Sequence, residues 1–256
     1  MSEYLYDKVS AIYDLVRDAD PRVVDLLARG ARLGPGSRVV DLGCGTGSHA
    51  FLVAARTGAS VTGVEPSAGV LGKAKEKTPG SGLGGMAWFQ GSADSIPLAD
   101  ASADLVYMTD VVHHVPDLEA MFREISRVLA PGGLVAIASQ SHAQIERRVV
   151  ARFFPETAEA DKRRYPTPAR LAEAAAPTGI SFLGDEAYGE GEPVTVDSSF
   201  LELAERKGYS VLAAISDEAY EKGLDRLRAV LGPGPVTVSA CGGTVHWLGK
   251  AGARLG

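Results

Sequence analysis

VVDLGCGTG, residues 39–47, is the most informative segment of this sequence. An apolar run ends at Asp41 and enters a loop with glycines at 43, 45 and 47, after which Ser48–Thr57 has the composition of a helix. Glycine permits backbone conformations that other residues resist, and it allows a ligand to lie close to the main chain. The stretch therefore predicts a strand, a tight turn and a helix, with a nucleotide-like molecule bound at the turn.

The spacing of the glycines narrows the class of ligand. A dinucleotide-binding loop has the pattern GxGxxG, whereas only Thr46 separates the second and third glycines here. With Asp41 two residues before the first glycine, the loop resembles motif I of the class I S-adenosylmethionine-dependent methyltransferases, in particular the small-molecule, type 11-like group. The alternative is a tight strand-to-helix connection that binds nothing.

Composition places the chain among ordinary globular proteins. Its 256 residues, 45% hydrophobic and 23% charged, can form one large domain or one domain with an inserted cap. The two cysteines, Cys44 and Cys241, are too far apart for a CxxC metal motif and give no basis for a disulfide framework. A reducing compartment is the simpler expectation.

Charge and hydropathy bear on the partners of the protein. The amino-terminal residues lack the layout of a signal peptide, and no apolar run reaches the roughly 18 residues of a membrane span. We therefore expect a cytoplasmic protein without a membrane partner. A net charge of −6 disfavours nucleic acid, because such binding uses clustered Lys and Arg, and favours a small-molecule substrate. The sequence gives no indication of the oligomeric state.

Strands and helices alternate from Arg38 to Ser139, which predicts a parallel sheet covered on both faces. The resemblance implies an α/β fold with a doubly wound, mostly parallel seven-stranded sheet, Rossmann-like, whose last strand is antiparallel. The first expected strand ends at Asp41, and the next four cover Ser60–Glu65, Met86–Gln90, Ala103–Thr109 and Leu134–Ser139. Two further strand-like runs lie at Ile180–Leu183 and Gly243–Leu248. Expected helices cover Ser67–Lys77, stopped by Pro79, a segment from Asp117 to Pro131, two stretches within 143–176, and Asp217–Leu231.

Three regions are expected along the chain. Residues 1–140 form an amino-terminal lid helix and the cofactor-binding core, 141–178 form a helical substrate lid, and 179–256 complete the core with the last strands and helices. We expect the lid to cover the carboxyl ends of the strands, where ligands bind in such sheets.

Residues at the strand ends are the candidate cofactor ligands. Glu65 ends the second strand, 24 positions after Asp41, where an acidic side chain can accept both hydroxyls of an adenosine ribose; the alternative is a surface carboxylate. The resemblance implies further cofactor contacts at Gly43, Cys44, Gly45, Pro66 and Asp41 itself.

The third strand leads to QGSADSIPL, residues 90–98, which is similar to the adenine-binding stretch of the same family. Many relatives carry an aspartate where this chain has Ser92. Either Asp94 takes that role, or Ser92 makes a weaker contact while the Ala93 backbone binds the ring edge; plain loop residues are the alternative. After the fourth strand, the resemblance implies that Thr109 touches the amino acid portion of the cofactor.

Three histidines are candidate general bases, because imidazole accepts a proton near neutral pH. His113 and His114 follow the fourth strand, and His142 follows the fifth. Hydrogen-bonded spacers are the alternative interpretation. None of them has the Cys or carboxylate spacing of a metal site, so we predict no metal.

The remaining candidates lie in the two lid segments. Tyr6-Asp7 and Tyr13-Asp14 are seven residues apart, which places them on one helix face, and Tyr13 is a candidate cofactor or acceptor contact unless it packs in the core. Basic residues in 147–164 either bind an anionic substrate group or form a solvated face. Aromatic residues either line an acceptor pocket or form the lid's own core: Phe153, Phe154, Tyr165 and Tyr188.

The working hypothesis is an S-adenosyl-L-methionine-dependent methyltransferase that acts on a metabolite or natural-product scaffold at oxygen, nitrogen or carbon. A nicotinamide-dependent oxidoreductase is a weaker alternative, because its Tyr-x-x-x-Lys pair belongs after the middle of the chain and the one present here, Tyr4 and Lys8, precedes the glycine loop. The other alternative is a methyltransferase-like module that binds its ligand and catalyses nothing.

Overall fold

The central feature of the fold is a seven-stranded sheet in the order β3-β2-β1-β4-β5-β7-β6. The structure, a computed structural model, describes residues 19–256. The pairs β1–β2, β1–β4, β2–β3 and β4–β5 are parallel, so the doubly wound, mostly parallel α/β sheet expected from the sequence is confirmed. The strands are β1 Arg38–Leu42, β2 Ser60–Glu65, β3 Met86–Gln90, β4 Ala103–Thr109, β5 Leu129–Ser139, β6 Ile180–Val196 and β7 Val236–Lys250.

The strand order reverses between β1 and β4, and this reversal positions the site. The chain builds outward from β1 to β2 and β3, then returns to add β4 on the other side of β1. In such sheets the crevice outside the carboxyl ends of the strands at the reversal is the usual ligand site. The glycine loop leaves β1 at this point.

Helices connect the strands of the described residues. The α-helices are α1 Pro21–Gly30, α2 Ser48–Thr57, α3 Ala68–Ser81, α4 Leu118–Val128, α5 His142–Glu146, α6 Val149–Phe153, α7 Glu156–Lys162, α8 Pro168–Ala175, α9 Ser198–Glu205 and α10 Asp217–Leu231. Short 3₁₀ turns lie at Val112–His114, Ala176–Thr178 and Ser210–Ala214.

Helix α4 shows why the local prediction succeeds. The Asp117 carboxylate accepts the Ala120 amide at 2.8 Å, which caps the helix as the sequence predicts. Apolar residues three and four positions apart form one buried face, so the helix gains most of its stability by packing on the sheet. These residues are Met121, Phe122, Ile125 and Val128, all fully buried.

Several element ends differ from the prediction. Helix α3 continues through Pro79 to Ser81, so the predicted stop is wrong. The helix continues only two residues beyond the proline and then ends at Gly82, which has a φ of 68°. Strand β5 begins at Leu129 rather than Leu134, directly after α4.

The segment expected to hold two helices contains four short ones. Helices α5 to α8 divide residues 142–175, and prolines stand at two of the starts. Pro155 precedes α7 and Pro168 begins α8, positions at which proline's fixed φ favours a helix start and ends the preceding segment. The strand-like runs near 180 and 243 are parts of β6 and β7, which are much longer than predicted.

The chain divides into two compact units. Among the described residues, the first contains residues 19–139, Pro168–Glu186 and Val245–Gly256, and the second contains Gln140–Thr167 and Ala187–Thr244. The boundary between the units at Ser139 and Gln140 lies one residue before the expected end of the cofactor-binding region at residue 140. Helix α8, expected in the lid, instead belongs to the first unit, because Leu171, Ala174 and Ala175 join the core cluster of that unit.

The second unit has a core of its own. Helices α6, α7, α9 and α10 contribute apolar side chains to one cluster, to which Val196 at the end of β6 is added. Phe154 is fully buried there and stacks on Tyr220 with ring centroids 6.1 Å apart. This unit is built from two separate stretches of chain, and the sequence analysis assigned the second stretch, 187–244, to the core.

Within residues 19–256 no helix combines the length and the apolar character needed to cross a membrane.

Two helical glycines give a matched test of the packing in the second unit. A Cβ on Gly223 in α10 would lie 2.0 Å from Phe154 Cδ1, whereas nothing lies within 4 Å of a Cβ on Gly72 in α3. We expect Gly223→Ala to lower the free energy of unfolding by about 1–3 kcal/mol through overpacking. Gly72→Ala should raise it by up to about 1 kcal/mol through helix propensity. Thermal and urea unfolding measure both, and equal effects of the two variants would contradict this packing.

Candidate functional site at the carboxyl ends of β1, β2 and β4

The glycine loop is fixed by its backbone conformation and by its neighbours. Gly43 has a φ of 79° and Gly47 a φ of 84°, values that L-residues rarely adopt. A Cβ on Gly43 would lie 2.6 Å from Val111 in the loop after β4, and one on Gly47 would lie 2.5 Å from Trp88 of β3. The loop therefore brings the chain after β4 directly against the end of β1.

Hydrogen bonds join the first loop residues to the end of β2. The Gly43 and Cys44 amides both donate to the Val64 carbonyl, at 2.7 and 3.1 Å. The Gly45 amide donates to Glu65 Oε2 at 3.1 Å. These amides are already used by acceptors within the protein, so they do not form the open cradle that binds a diphosphate in dinucleotide-binding loops.

Glu65 is held by backbone amides at both of its oxygens. Its Oε1 accepts the Ser67 amide at 3.0 Å, and Ser67 in turn caps α3. Burial raises the pKa of Glu65, and the amides of Ser67 and Gly45 act in the opposite direction. Each carboxylate oxygen can accept a second hydrogen bond. The oriented side chain is therefore suited to the two ribose hydroxyls expected at this position.

Asp41 is a buried carboxyl with an unsatisfied oxygen. It is 2% exposed, and its Oδ2 has no hydrogen-bond partner among the described residues. Burial, followed by the nearby Glu65 carboxylate, raises its pKa to about 7, while the hydroxyl of Tyr107 and the amide of Ala50 act in the opposite direction. A buried carboxyl with this environment is a candidate ligand-binding group.

Two further polar atoms beside Asp41 lack partners. Tyr107 lies opposite Asp41 in the β1–β4 register, and Thr109 lies two residues further along β4, so the three side chains share one face of the sheet. The Tyr107 hydroxyl and the Thr109 Oγ1 are buried and make no hydrogen bond of standard geometry within residues 19–256, although the phenol lies close enough to Asp41 to favour its ionised form. Buried polar groups are normally paired. The Asp41 carboxylate and the Thr109 hydroxyl, two buried acceptors at the strand-order reversal, therefore fit a ligand with a cationic, hydrogen-bond-donating group.

The stretch after β3 forms a compact loop beside Glu65. The Gly91 amide donates to the Glu65 carbonyl at 3.2 Å, and the Gln90 side chain donates to the Pro66 carbonyl at 3.0 Å. Within the loop, the Ser92 hydroxyl donates to Asp94 Oδ1. The structure thus brings the two candidate adenine ligands together as one hydrogen-bonded pair.

Two side chains of α4, Glu124 and Arg127, hold the end of the same loop at Ile96 and Leu98, and the sequence did not reveal this contact. Arg127 donates to the carbonyls of Ile96 and Leu98, each at 2.7 Å, while Glu124 accepts the Ile96 amide at 2.9 Å. Glu124 and Arg127 also form an ion pair three residues apart. In the sequence this pair is indistinguishable from an ordinary charged helix surface. Tyr107 was also missed, because a tyrosine in an apolar strand is typical of a core residue.

The three candidate histidines separate into two groups. His113 and His114 form the 3₁₀ turn after β4, with ring centroids 4.0 Å apart, in the same loop as the Val111 that contacts Gly43. His142 belongs to the second unit, where its Nε2–H donates to the Tyr165 carbonyl at 3.0 Å. That bond places the proton on Nε2 of the neutral ring and leaves Nδ1 as the basic atom.

Basic side chains of the second unit are engaged with carboxylates. Arg148 pairs with the buried Asp161, which also holds Arg164 at 3.2 Å. Lys162 pairs with Glu146 at 2.8 Å. These contacts favour a structural role over recognition of an anionic substrate. The aromatic candidates Phe153, Phe154 and Tyr165 are at most 6% exposed, which favours the interpretation as core.

Tyr13 and the repeated Tyr-Asp pairs lie outside the described residues. Among residues 19–256, no three His, Cys, Asp or Glu side chains are grouped so that they could hold a metal ion.

The sheet order, the glycine loop at its reversal and the acidic residue ending β2 define an α/β domain of the kind that binds an adenosine-containing cofactor. Residues 40–137 match the methyltransferase domain family. This match confirms the resemblance of the glycine loop to the class I S-adenosylmethionine-dependent methyltransferases.

Known proteins resemble the chain in sequence and in fold. Methyltransferase GfsG of Streptomyces halstedii is 35% identical over 126 residues, which are 49% of this chain and 45% of that protein. The chain thus spans less than half the length of this relative. A structure from Anabaena variabilis, described as a methyltransferase from an antibiotic biosynthesis pathway, has a TM-score of 0.69 at 23% identity and covers 90% of this chain and 98% of its own.

A third similar protein is phosphoethanolamine N-methyltransferase 2 of Haemonchus contortus, in complex with S-adenosyl-L-methionine. It has a TM-score of 0.61 at 20% identity, over 98% of this chain and 60% of that one. At such identities the structural matches establish the fold alone.

The burial of Asp41 gives a pH-dependent prediction for the ligand-free protein. Because its pKa of about 7 lies above the ordinary 3.8, folding favours the protonated acid and the cost of ionisation grows as pH rises toward 7. Asp41→Asn removes that cost. We expect the stability of this variant relative to the wild type to rise by about 2–3 kcal/mol between pH 5 and pH 8.

Thermal unfolding at a series of pH values measures this difference. Glu76→Gln, at an exposed position of α3, is the control and should give a constant difference. A difference for Asp41→Asn that is also constant with pH would show that Asp41 ionises normally.

Proposed function

We propose that the protein transfers a methyl group from S-adenosyl-L-methionine to a small-molecule acceptor. The observation that carries this proposal is the charge of the site. Asp41 and Glu65 lie at the ends of adjacent strands, and no lysine or arginine among residues 19–256 is found among the groups that shift their pKa values. Two carboxyl groups without a basic neighbour attract a cation.

The cation proposed here matches the site in charge and in hydrogen-bonding groups. S-adenosyl-L-methionine carries a sulfonium and an α-ammonium group, and its ribose presents two hydroxyls. The unsatisfied Asp41 Oδ2 and Thr109 Oγ1 are acceptors for the ammonium group, and Glu65 is the acceptor for the ribose. By the family resemblance, the adenine ring contacts the loop that contains Ser92, Ala93 and Asp94. The Haemonchus contortus protein of the same fold, with this cofactor bound, supports the choice.

The same charges disfavour the nicotinamide alternative. A dinucleotide would bring a diphosphate to the loop, where the amides of Gly43, Cys44 and Gly45 are already bonded to protein oxygens. The diphosphate would also lie near two carboxyl groups. Electrostatic repulsion and the lack of amide donors both oppose such binding.

When bound, the sulfonium compound supplies an electrophilic methyl group. The residues of the chain then have to hold the acceptor in line with the sulfur and exclude water, which is the main source of rate in such a reaction. His113 and His114 follow β4 beside the glycine loop, and we propose that one of them accepts the proton of a hydroxyl or ammonium acceptor. A nucleophilic carbon or free amine would need no such base.

The acceptor is proposed only as a class. The description of the Anabaena variabilis structure supports a natural-product scaffold, and the methylated atom, oxygen, nitrogen or carbon, stays open. Three statements stay predictions from the sequence. They are that residues 141–178 act as a substrate lid, that Tyr13 and His142 contact ligands, and that the protein is cytoplasmic.

Calorimetric titration and a turnover assay test the proposal. We expect the protein to bind S-adenosyl-L-methionine and S-adenosylhomocysteine but not NAD, and to label small hydroxyl- or amine-bearing acceptors with a radioactive methyl group. Binding of NAD alone would overturn the proposal in favour of an oxidoreductase. Binding of the sulfonium compound without turnover on any acceptor of a broad panel would favour the module that catalyses nothing.

A variant of Glu65 tests the ribose contact. Glu65→Ala removes both carboxylate oxygens, so we expect the affinity for S-adenosyl-L-methionine to fall by about 1–3 kcal/mol, as for loss of charged hydrogen bonds. Glu76→Ala, at an exposed position of α3, is the control and should bind normally. An unchanged Kd for the Glu65 variant would remove Glu65 from the site.

A further inference from the structure

Tyr107 carries a hydroxyl that packing alone does not explain. The residue is fully buried in β4, and its oxygen makes no hydrogen bond of standard geometry among residues 19–256, but it lies close enough to Asp41 to favour the ionised form of that carboxyl. Phenylalanine would fill the same space without leaving a buried polar atom unsatisfied, which costs free energy. The neighbour across the strand pair is Asp41, whose Oδ2 is also orphaned. The two unsatisfied groups are thus one donor and one acceptor on the same face.

We propose that Tyr107 is a positioning residue of the cofactor site: its hydroxyl donates to Asp41 and keeps that carboxyl ionised, so that it can pair with the cationic amino group of the ligand. This inference rests on the proposed function, and it assigns to Tyr107 a role through Asp41 rather than a contact with the reacting atoms.

The groups around Asp41 explain why a donor is needed. The titratable groups that face it among the described residues are Glu65 from the end of β2, Cys44 from the glycine loop and Tyr107 from β4. Glu65 and burial favour the protonated form of Asp41. Only the Tyr107 hydroxyl and the Ala50 amide of α2 favour the ionised form.

The consequence is a dependence of binding on pH. A neutral Asp41 cannot form an ion pair with an ammonium group, so the apparent affinity falls with the fraction of protein in which Asp41 is protonated. Because the phenol lowers the pKa of Asp41, its removal should shift the acidic limb of the binding profile toward higher pH. Affinity at the alkaline end, where Asp41 is ionised in any case, should change little.

The experiment compares Tyr107→Phe with wild type by titration calorimetry with S-adenosyl-L-methionine from pH 6 to pH 8. We expect affinity at pH 6 to fall about tenfold, as for loss of a hydrogen bond to a charged group, and the two curves to converge toward pH 8. Tyr220→Phe is the matched control, because that buried hydroxyl bonds to the Ala204 and Glu205 carbonyls within the second unit. It should leave the profile in place even if it lowers thermal stability.

A second variant keeps the test valid if removal of the hydroxyl disturbs folding. Replacement of Tyr107 by 3,5-difluorotyrosine preserves the ring and makes the phenol a stronger donor, so the acidic limb should move to lower pH. In an Asp41→Asn background, Tyr107→Phe should have no further effect on binding, because the group through which it acts is absent.

The outcomes separate the two proposals. A wild-type protein that does not bind the sulfonium compound refutes the proposed function. A wild type that binds, together with a Tyr107→Phe profile that is unshifted or uniformly weaker at every pH, overturns the role of Tyr107 alone.

Discussion

The bond from the Gly45 amide to Glu65 is the contact on which the arrangement of the site depends. It joins the loop after β1 to the last residue of β2, and together with the two amide bonds to the Val64 carbonyl it fixes the path of the loop. Glu65 is oriented by the same contact, since its other oxygen is held by Ser67 at the start of α3. A single carboxylate therefore positions the loop, the second strand end and the next helix together.

Electrostatics follow from this arrangement. The loop brings Asp41 and Glu65 into one buried region, where burial, followed by the nearby Glu65 carboxylate, raises the pKa of Asp41. Proteins rarely leave such a region without a compensating cation. Because the described residues supply no basic side chain that shifts either pKa, the ligand is the natural source of the compensating charge.

The sequence was sufficient for the features that are encoded locally. The glycine loop, the extent of β2, β3 and β4 and the helix from Asp217 to Leu231 all depend on short-range patterns, and the structure has them as predicted. Tyr107 and Arg127 could not be found in this way. Their roles depend on which residue lies across a strand pair or beneath a loop, and this information is absent from periodicity. The same holds for the second unit, which joins 140–167 to 187–244 through core contacts between distant stretches.

The contact between Gly43 and Val111 has a consequence for how such a protein can diverge. A Cβ on Gly43 would collide with Val111 in the loop after β4. The loop that carries Val111, His113 and His114 can therefore lie this close to the glycine loop only because residue 43 has no side chain. A larger residue at position 43 is therefore excluded. A lineage that adapts to a bulkier or smaller reactant must therefore do so by changing residue 111 or the residues beyond it, while the glycine stays constant.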